Sequence, residues 1–163
     1  MKTIGILGGM SWNPAPSTTA SSTARCKKRL GGVHSAKLLL YSFDFAAMSE
    51  LQRAGRWGDA DALMAAAAAN LEKAGADFLV IACNTMHCAT SAMAKASSLP
   101  LLHIADPLGR AIDRAGLRRV GLIGSAYTME QDGVIKGRLR DRYGLDVLTP
   151  RGRRRRRGQP HHL

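Results

Sequence analysis

Three short polar segments of the sequence each follow an apolar run that predicts a buried β-strand. They are Gly8–Ser11, Ser42–Asp44 and Cys83–Thr85. Because sites in open parallel sheets form at the carboxyl ends of the strands, these segments are where chemistry is expected. The last segment is the most informative, since a cysteine thiolate can act as a base while the amide and hydroxyl beside it bind a carboxylate.

Cys83 lies where a predicted strand passes into a predicted helix, and the amide groups of a helix N-terminus favour the thiolate form of a cysteine. Two other interpretations stay open. A single cysteine beside an alanine-rich strand is often a small buried hydrophobic residue, and Cys88, inside the predicted helix, fits that role more easily. A metal site of Cys83, His87 and Cys88 would need a fourth ligand that the sequence does not supply.

The two other segments are less specific. The glycines of Gly8–Ser11 lack the G-x-G-x-x-G order of a dinucleotide-binding loop, so they indicate a tight turn between a strand and a helix. Asp44 is a site candidate, and its alternative role is that of a loop carboxylate that caps a backbone amide.

The elements that must position these segments alternate between strands and helices. Apolar runs predict strands at Thr3–Leu7, Lys37–Ser42, Ala76–Ala82, Leu101–Ile104, Arg119–Ile123 and Asp146–Thr149. Helical spacing predicts helices at Asp59–Ala74, Met86–Lys95, Pro107–Ala115 and Met129–Arg142. The apolar stripe of the first helix is predicted at Leu63, Ala66, Ala67, Asn70 and Leu71. This alternation predicts an α/β fold with parallel sheets.

Two segments do not fit this pattern. The first two strands need a helical crossover between them, but Asn13–Cys26 has no apolar period and indicates a loop. Arg151–Leu163 is a low-complexity Arg and Gly segment that indicates a solvated tail. Six of its arginines contribute half of the formal net charge of +12. In the absence of a helix-turn-helix, zinc or aromatic-stacking pattern, the tail predicts salt-sensitive polyanion binding and no specific nucleic-acid partner.

Composition narrows the remaining classes of protein. The 163 residues are 45% hydrophobic and 22% charged, which predicts a globular chain of one domain or slightly more and excludes complete disorder. No apolar run reaches the ~18 residues of a membrane span, so no membrane partner is expected. Three cysteines provide no disulfide framework and the N-terminus does not resemble a signal peptide, which together favour a cytoplasmic location.

Several motifs taken together resemble the aspartate/glutamate racemase family. The resemblance covers about residues 1–12 and 30–150. Its motifs are Met1–Trp12, Leu30–Lys37 with the strand and Asp44-Phe45 that follow, Cys83–His87, Leu102–Asp106 and Tyr127–Asp132. The resemblance implies two Rossmann-like parallel-sheet lobes. The first lobe is predicted at residues 1–100 and an incomplete second lobe at 101–150, followed by the basic tail of 151–163.

The resemblance also implies cofactor-independent racemisation of an acidic amino acid, aspartate or glutamate, by two cysteines on opposite faces of the α-carbon. Cys83 matches the first of the two family cysteines. The positions that contact the substrate in the family are matched by Met10, Gln52, Asn84 and Thr85. No metal is implied. The second cysteine lies in a Gly-Cys-Thr-Glu motif that this sequence does not contain, and a basic substrate-binding residue expected just past Pro150 is also absent. We therefore expect impaired racemisation. The alternative is a non-catalytic remnant that binds acidic amino acids or a partner subunit, and homo-oligomerisation is compatible with both.

The two segments that do not fit lead to a hypothesis about the coding sequence. One back-translation of the segment after Trp12, read one base earlier, gives Glu-Ser-Arg-Ala-Glu-Tyr-Tyr-Arg-Leu-Ile-Asn, which resembles the first helix of the family. A similar recoding from Gly158 onward gives a family-like helix start. We therefore interpret residues 13–26 and 151–163 as products of frameshifts, and an unbroken reading frame with unrelated codons in the resequenced gene would refute this.

Overall fold

A computed structural model describes residues 1–10 and 14–150 of the chain. Within these residues the strands are β1 Ile4–Gly8, β2 Leu38–Ser42, β3 Phe78–Ile81, β4 Leu101–Leu102, β5 Arg119–Gly121 and β6 Asp146–Leu148. The helices are α1 Pro14–Leu30, α2 Phe45–Arg53, α3 Trp57–Lys73, α4 Thr90–Ala96, α5 Ala105–Arg114, α6 Ala126–Glu130 and α7 Lys136–Tyr143, and a 3-10 helix spans Thr85–Ala89. Every predicted strand is present with ends within two residues of the prediction. The α/β fold with parallel sheets is confirmed.

The first sheet has four parallel strands in the order β2-β1-β3-β4. Strand β1 is central, because Ile4 lies opposite Leu38 on one side and opposite Phe78 on the other. The last four of its five residues are buried. A strand that is buried on both faces of a sheet is apolar at almost every position, which explains why β1 reads as an uninterrupted apolar run. Since all four strands run the same way, β1, β2 and β3 end at one edge of the sheet.

Helix α3 buries a stripe of alanines with one methionine and one leucine. The buried residues are Ala60, Met64, Ala67, Ala68 and Leu71. The predicted stripe is correct at Ala67 and Leu71 but wrong at Leu63, which is 42% exposed, and at Ala66 and Asn70, which are also exposed. Residues 65–69 are all alanine, so the sequence offers little contrast between one face of the helix and the next.

Helix α1 occupies the segment that the sequence pattern indicates as a loop. A parallel pair such as β1 and β2 needs a long crossover connection, and α1 provides it. None of residues 16–30 is buried. The loop prediction for Asn13–Cys26 is therefore wrong from residue 14 onward, because topology outweighs local pattern here, and residue 13 lies outside the described residues.

The sequence does not predict helix α2, although it identifies Asp44 as a residue that could cap a backbone amide. The Asp44 Oδ1 atom accepts a hydrogen bond from the Ala46 N–H at 3.0 Å, which satisfies one of the free amides at the start of the helix. The capping interpretation of Asp44 is confirmed. The helix buries only Met48 and Leu51, too few apolar positions to show a period in the sequence.

Two predicted helices are each divided into two shorter ones. The segment Met86–Lys95 forms most of the 3-10 helix and then most of α4. The segment Met129–Arg142 contributes the end of α6 and most of α7, with a break between Glu130 and Lys136. Gly133 lies in this break, where its low helix propensity favours interruption.

The described chain divides into two compact units. The first contains Met1–Cys83 and Ala89–Leu102, and the second contains Asn84–Cys88 and the chain from His103 onward. The second unit has its own parallel pair, β5 with β6, and a buried apolar cluster of Ala105, Val134, Ile135, Leu139 and Leu145. The lobe boundary near residue 100 stays a prediction, and the predicted tail of 151–163 lies outside the described residues. Of the helices described, none is long and apolar enough to cross a membrane.

The turn after β1 generates a prediction about Gly9. Its φ is 77°, and a Cβ there would overlap the backbone oxygen and nitrogen of Phe43. Gly55 has a similar φ of 68° with nothing within 4 Å of the same position. We expect Gly9→Ala to lower the free energy of unfolding by about 2–4 kcal/mol, since overlap adds to the cost of the left-handed backbone, and Gly55→Ala to lower it by about 1–2 kcal/mol. Urea unfolding followed by circular dichroism measures both, and equal losses would contradict the close approach at Gly9.

Candidate functional site

Met10 and Cys83 lie beyond the carboxyl ends of neighbouring strands in the first unit. Met10 is two residues past β1 and is buried, while Cys83 is two residues past β3 and is half-buried. The two strand ends are joined directly, because the Ala82 N–H donates a hydrogen bond to the Leu7 carbonyl at 2.8 Å. Cys83 therefore lies at the edge where parallel sheets form their sites.

Gln52 lies elsewhere in the first unit. It is the penultimate residue of α2 and is half-buried. It is seven positions after Phe45 in the helix, which corresponds to about 10 Å along the helix axis. The structure thus places Gln52 at the end of a helix rather than at a strand end, and its contact with a substrate stays a prediction.

Thr85 belongs to a cluster of three hydroxyl groups in the second unit. Its Oγ1 atom lies 3.1 Å from Thr128 Oγ1 and 3.3 Å from Ser125 Oγ, and the last two atoms are 3.0 Å apart. Thr85 and Thr128 are buried. Ser125 also caps α6, since its hydroxyl oxygen accepts a hydrogen bond from the Thr128 N–H at 3.3 Å. We call Thr85, Ser125 and Thr128 the hydroxyl cluster.

The hydroxyl cluster provides adaptable donors. A hydroxyl rotates about its C–O bond and can donate one hydrogen while it accepts others, so three of them at mutual hydrogen-bond distance can direct a hydrogen toward an anion. Sequence reasoning identified Thr85 but missed Ser125 and Thr128. The available signal was a serine directly after Gly124, in the position of a helix cap, but the predicted helix begins three residues too late, at Met129.

His87 fixes the backbone carbonyl of Asn84 within the same unit. The Nε2 atom of His87 accepts a hydrogen bond from the Ile104 N–H at 3.2 Å, so that nitrogen carries no hydrogen. The Nδ1 atom lies 3.2 Å from the Asn84 carbonyl oxygen and donates to it. These partners assign a neutral imidazole protonated on Nδ1. They also leave no ring nitrogen for a metal ion, and among the residues described no group of three His, Cys, Asp or Glu side chains could hold one.

His103 packs against His87 and is also neutral. The two ring centroids are 4.5 Å apart in an edge-to-face arrangement, and both side chains are buried. The Nδ1 atom of His103 accepts a hydrogen bond from the Ala105 N–H at 3.1 Å. Burial lowers the pKa of His103 to about 4, and the positive charge of the Arg138 guanidinium adds to this effect.

A half-buried ion pair anchors the turn that carries His103. The Asp106 N–H donates to the His103 carbonyl at 3.0 Å, and the Asp106 carboxylate accepts two hydrogen bonds of 2.7 Å from Arg138. These hydrogen bonds hold the pKa of Asp106 below its ordinary value. The Tyr143 hydroxyl donates to the Asp106 carbonyl at 3.0 Å. Two elements, α5 and α7, are thereby joined beside the histidine pair.

The lowered pKa of His103 predicts a pH-dependent stability. Between its ordinary value of 6.5 and the folded value of about 4, the unfolded chain binds a proton that the folded chain excludes, so the free energy of unfolding falls as the pH falls. We expect a loss of about 2–3 kcal/mol across this window. His103→Asn, whose amide oxygen can accept the Ala105 N–H, should flatten the dependence, and His34→Asn at an exposed position should not. Urea unfolding at pH values across the window measures the slopes, and an unchanged slope in His103→Asn would contradict the assignment.

Comparison with known proteins identifies the family. The sequence model of the Asp/Glu/Hydantoin racemase family matches residues 7–160. The structure of a candidate Asp/Glu racemase from Yersinia pestis has a TM-score of 0.90 and 41% identity over 97% of this chain and 68% of its own. An aspartate racemase homologue from Pyrococcus horikoshii has a TM-score of 0.76 and 28% identity over 96% of this chain and 68% of its own. An aspartate racemase from Picrophilus torridus shares the fold, with a TM-score of 0.68 and 19% identity over 92% and 63%. The chain therefore belongs to the Asp/Glu/hydantoin racemase family and is classed with the amino-acid racemases by that membership.

Proposed function

We propose that the chain acts on an acidic amino acid, aspartate or glutamate, and moves its α-proton with the thiolate of Cys83 and without a cofactor. Family membership supports an amino-acid substrate. The observation that carries the proposal is the run Cys83–Thr85, which begins two residues past β3 and in which a thiol, an amide and a member of the hydroxyl cluster follow one another along the chain. This order supplies a base and hydrogen-bond donors in consecutive residues.

The first step of the proposed reaction is removal of the α-proton. The Cys83 thiolate forms an S–H bond with that hydrogen while the electron pair of the C–H bond moves onto the α-carbon and into the adjacent carboxylate. Hydrogen-bond donors at the carboxylate stabilise the charge that develops there. We assign this role to the Asn84 amide and the Thr85 hydroxyl. Met10 and Gln52 are proposed as further substrate contacts.

The second step determines whether the configuration changes. Inversion requires a proton donor on the face of the α-carbon opposite the base. Cys26 lies on α1, and Cys88 lies in the 3-10 helix, where it packs against the apolar cluster of the second unit. Neither follows a strand as Cys83 does, so we assign no second acid to this chain. Cys83 then returns a proton to the face from which it was taken, and the α-hydrogen exchanges with solvent while configuration is retained.

The test follows α-deuterium uptake by L- and D-aspartate and L- and D-glutamate in D₂O, with chiral separation of the products. We expect uptake of deuterium with inversion at or near background. Cys83→Ser should lower the uptake by a factor of about 10²–10⁴, the usual contribution of a positioned base. Cys88→Ser, the matched control, should leave it unchanged.

The same experiment separates the alternatives. If the purified monomeric chain inverted the amino acid as fast as deuterium was taken up, a second base would be present. The proposal that this chain has no second base would then be wrong. Calorimetric binding of aspartate or glutamate without any uptake would identify a non-catalytic amino-acid-binding protein. The proposed function itself would be contradicted if the chain showed no deuterium uptake and bound neither amino acid.

The proposed role of the Thr85 hydroxyl is tested separately by affinity. Thr85→Val keeps the shape of the side chain and removes the donor. We expect the Kd for the amino acid that binds to rise by about tenfold or more, because a hydrogen bond to a charged group contributes about 1.5–3 kcal/mol. Thr149→Val, at a half-buried threonine outside the hydroxyl cluster, is the control. Titration calorimetry measures both, and equal changes in the two variants would rule out a direct role for Thr85.

A further inference from the structure

A groove of about 850 Å³ lies beside α1 at the opposite edge of the first sheet from Cys83. Ile4, Lys37 and Phe78 line it, and these residues stand at the amino ends of β1, β2 and β3. Met10 and Cys83 follow the carboxyl ends of the same parallel strands. The groove is therefore separate from the positions assigned to racemisation.

The lining of this groove is strongly basic. Five of its residues are Lys2, Arg25, Lys28, Arg29 and Lys37, and no carboxylate lines it, so we call it the basic groove. Over residues 1–10 and 14–150, none of the five forms an ion pair with Asp or Glu. Positive charge that is concentrated in a concave surface and not compensated attracts anions.

Two facts distinguish the basic groove from an ordinary solvated helix end. Basic residues in the last turn of α1 offset the partial negative charge of a helix C-terminus, which accounts for Lys28 and Arg29. It does not account for Lys2 and Lys37, which come from other parts of the chain. The second fact concerns Asp77, the acidic residue next to the lining residue Phe78. Asp77 does not line the groove, and its Oδ2 atom accepts a hydrogen bond from the Thr3 N–H at 2.6 Å.

The size and the apolar part of the lining indicate the class of ligand. Binding sites for organic ligands typically measure about 300–1,000 Å³, which the groove matches and a single phosphate does not fill. Ile4 and Phe78 give it apolar surface beside the cations. Arginine side chains bind phosphate oxygens through paired hydrogen bonds, and flat aromatic ligands pack against apolar surface. We propose that the basic groove binds a nucleoside di- or triphosphate, with the phosphates at the basic side chains and the base at the apolar strand ends.

Titration calorimetry of the full chain with ADP tests the proposal. Arg29→Ala should weaken binding by about tenfold or more, the effect of one charge-assisted hydrogen bond. Lys27→Ala is the matched control, because it removes one positive charge from the same helical turn but from a residue that does not line the groove. The Arg-rich tail is the same in both variants, so its nonspecific attraction for anions cancels. Pyrophosphate, which lacks the nucleoside, should bind at least about tenfold more weakly than ADP.

A second readout is independent of affinity. Cys26 lines the basic groove and is half-buried, so bound ADP should slow its alkylation, measured by peptide mass spectrometry, and should leave that of Cys88 unchanged. Equal weakening by Arg29→Ala and Lys27→Ala, or no ADP binding at all, would overturn the proposal. Equal affinity for pyrophosphate and ADP would overturn the nucleoside assignment. Tighter binding of oligo(dT) than of ADP, lost in Arg29→Ala alone, would show a nucleic-acid surface instead.

Discussion

Backbone hydrogen bonds on both sides of β1 determine where the chain leaves the first sheet. The Phe43 N–H donates to the Gly8 carbonyl at 3.0 Å, and the Ala82 N–H donates to the Leu7 carbonyl at 2.8 Å. Both bonds lie at the carboxyl ends of the strands, so the segments that follow β1, β2 and β3 begin at the same level. A cysteine two residues past β3 can serve a site at this edge only while that register is kept.

The backbone around Asn84 and Thr85 depends on the imidazole of His87, which must stay neutral to keep its two hydrogen bonds. If both ring nitrogens of His87 carried hydrogen, Nε2 would face the Ile104 N–H as a second donor, and a buried hydrogen bond would be replaced by repulsion. Burial of His87 and His103 side by side opposes that protonation, since a charge there would lose its hydration. The hydrogen bond that holds the Asn84 carbonyl therefore relies on the burial of the two imidazole rings.

The strands were the most predictable part of the fold because a buried parallel strand is apolar at almost every position. For the same reason, the place of Cys83 after β3 could be predicted from the sequence. Helix α2 could not, since its apolar positions are few. The hydroxyl cluster could be found only in part, because Ser125 and Thr128 are 40 and 43 residues from Thr85 and meet it through tertiary folding. Local sequence patterns do not predict contacts between residues so far apart in the chain.

Helix α1 forms because the parallel sheet needs a long connection at this place, although its sequence has no apolar stripe. With no buried residue between 16 and 30, it gains little from apolar packing, which is the usual source of helix stability in proteins. The parallel pairing of β1 and β2 nevertheless requires a long connection, and a helix satisfies the backbone groups of that connection internally. An amphipathic helix in the same place would turn an apolar stripe toward the sheet. In this chain polar and basic side chains stand there instead, and the basic groove at the amino-terminal edge of the sheet is the result.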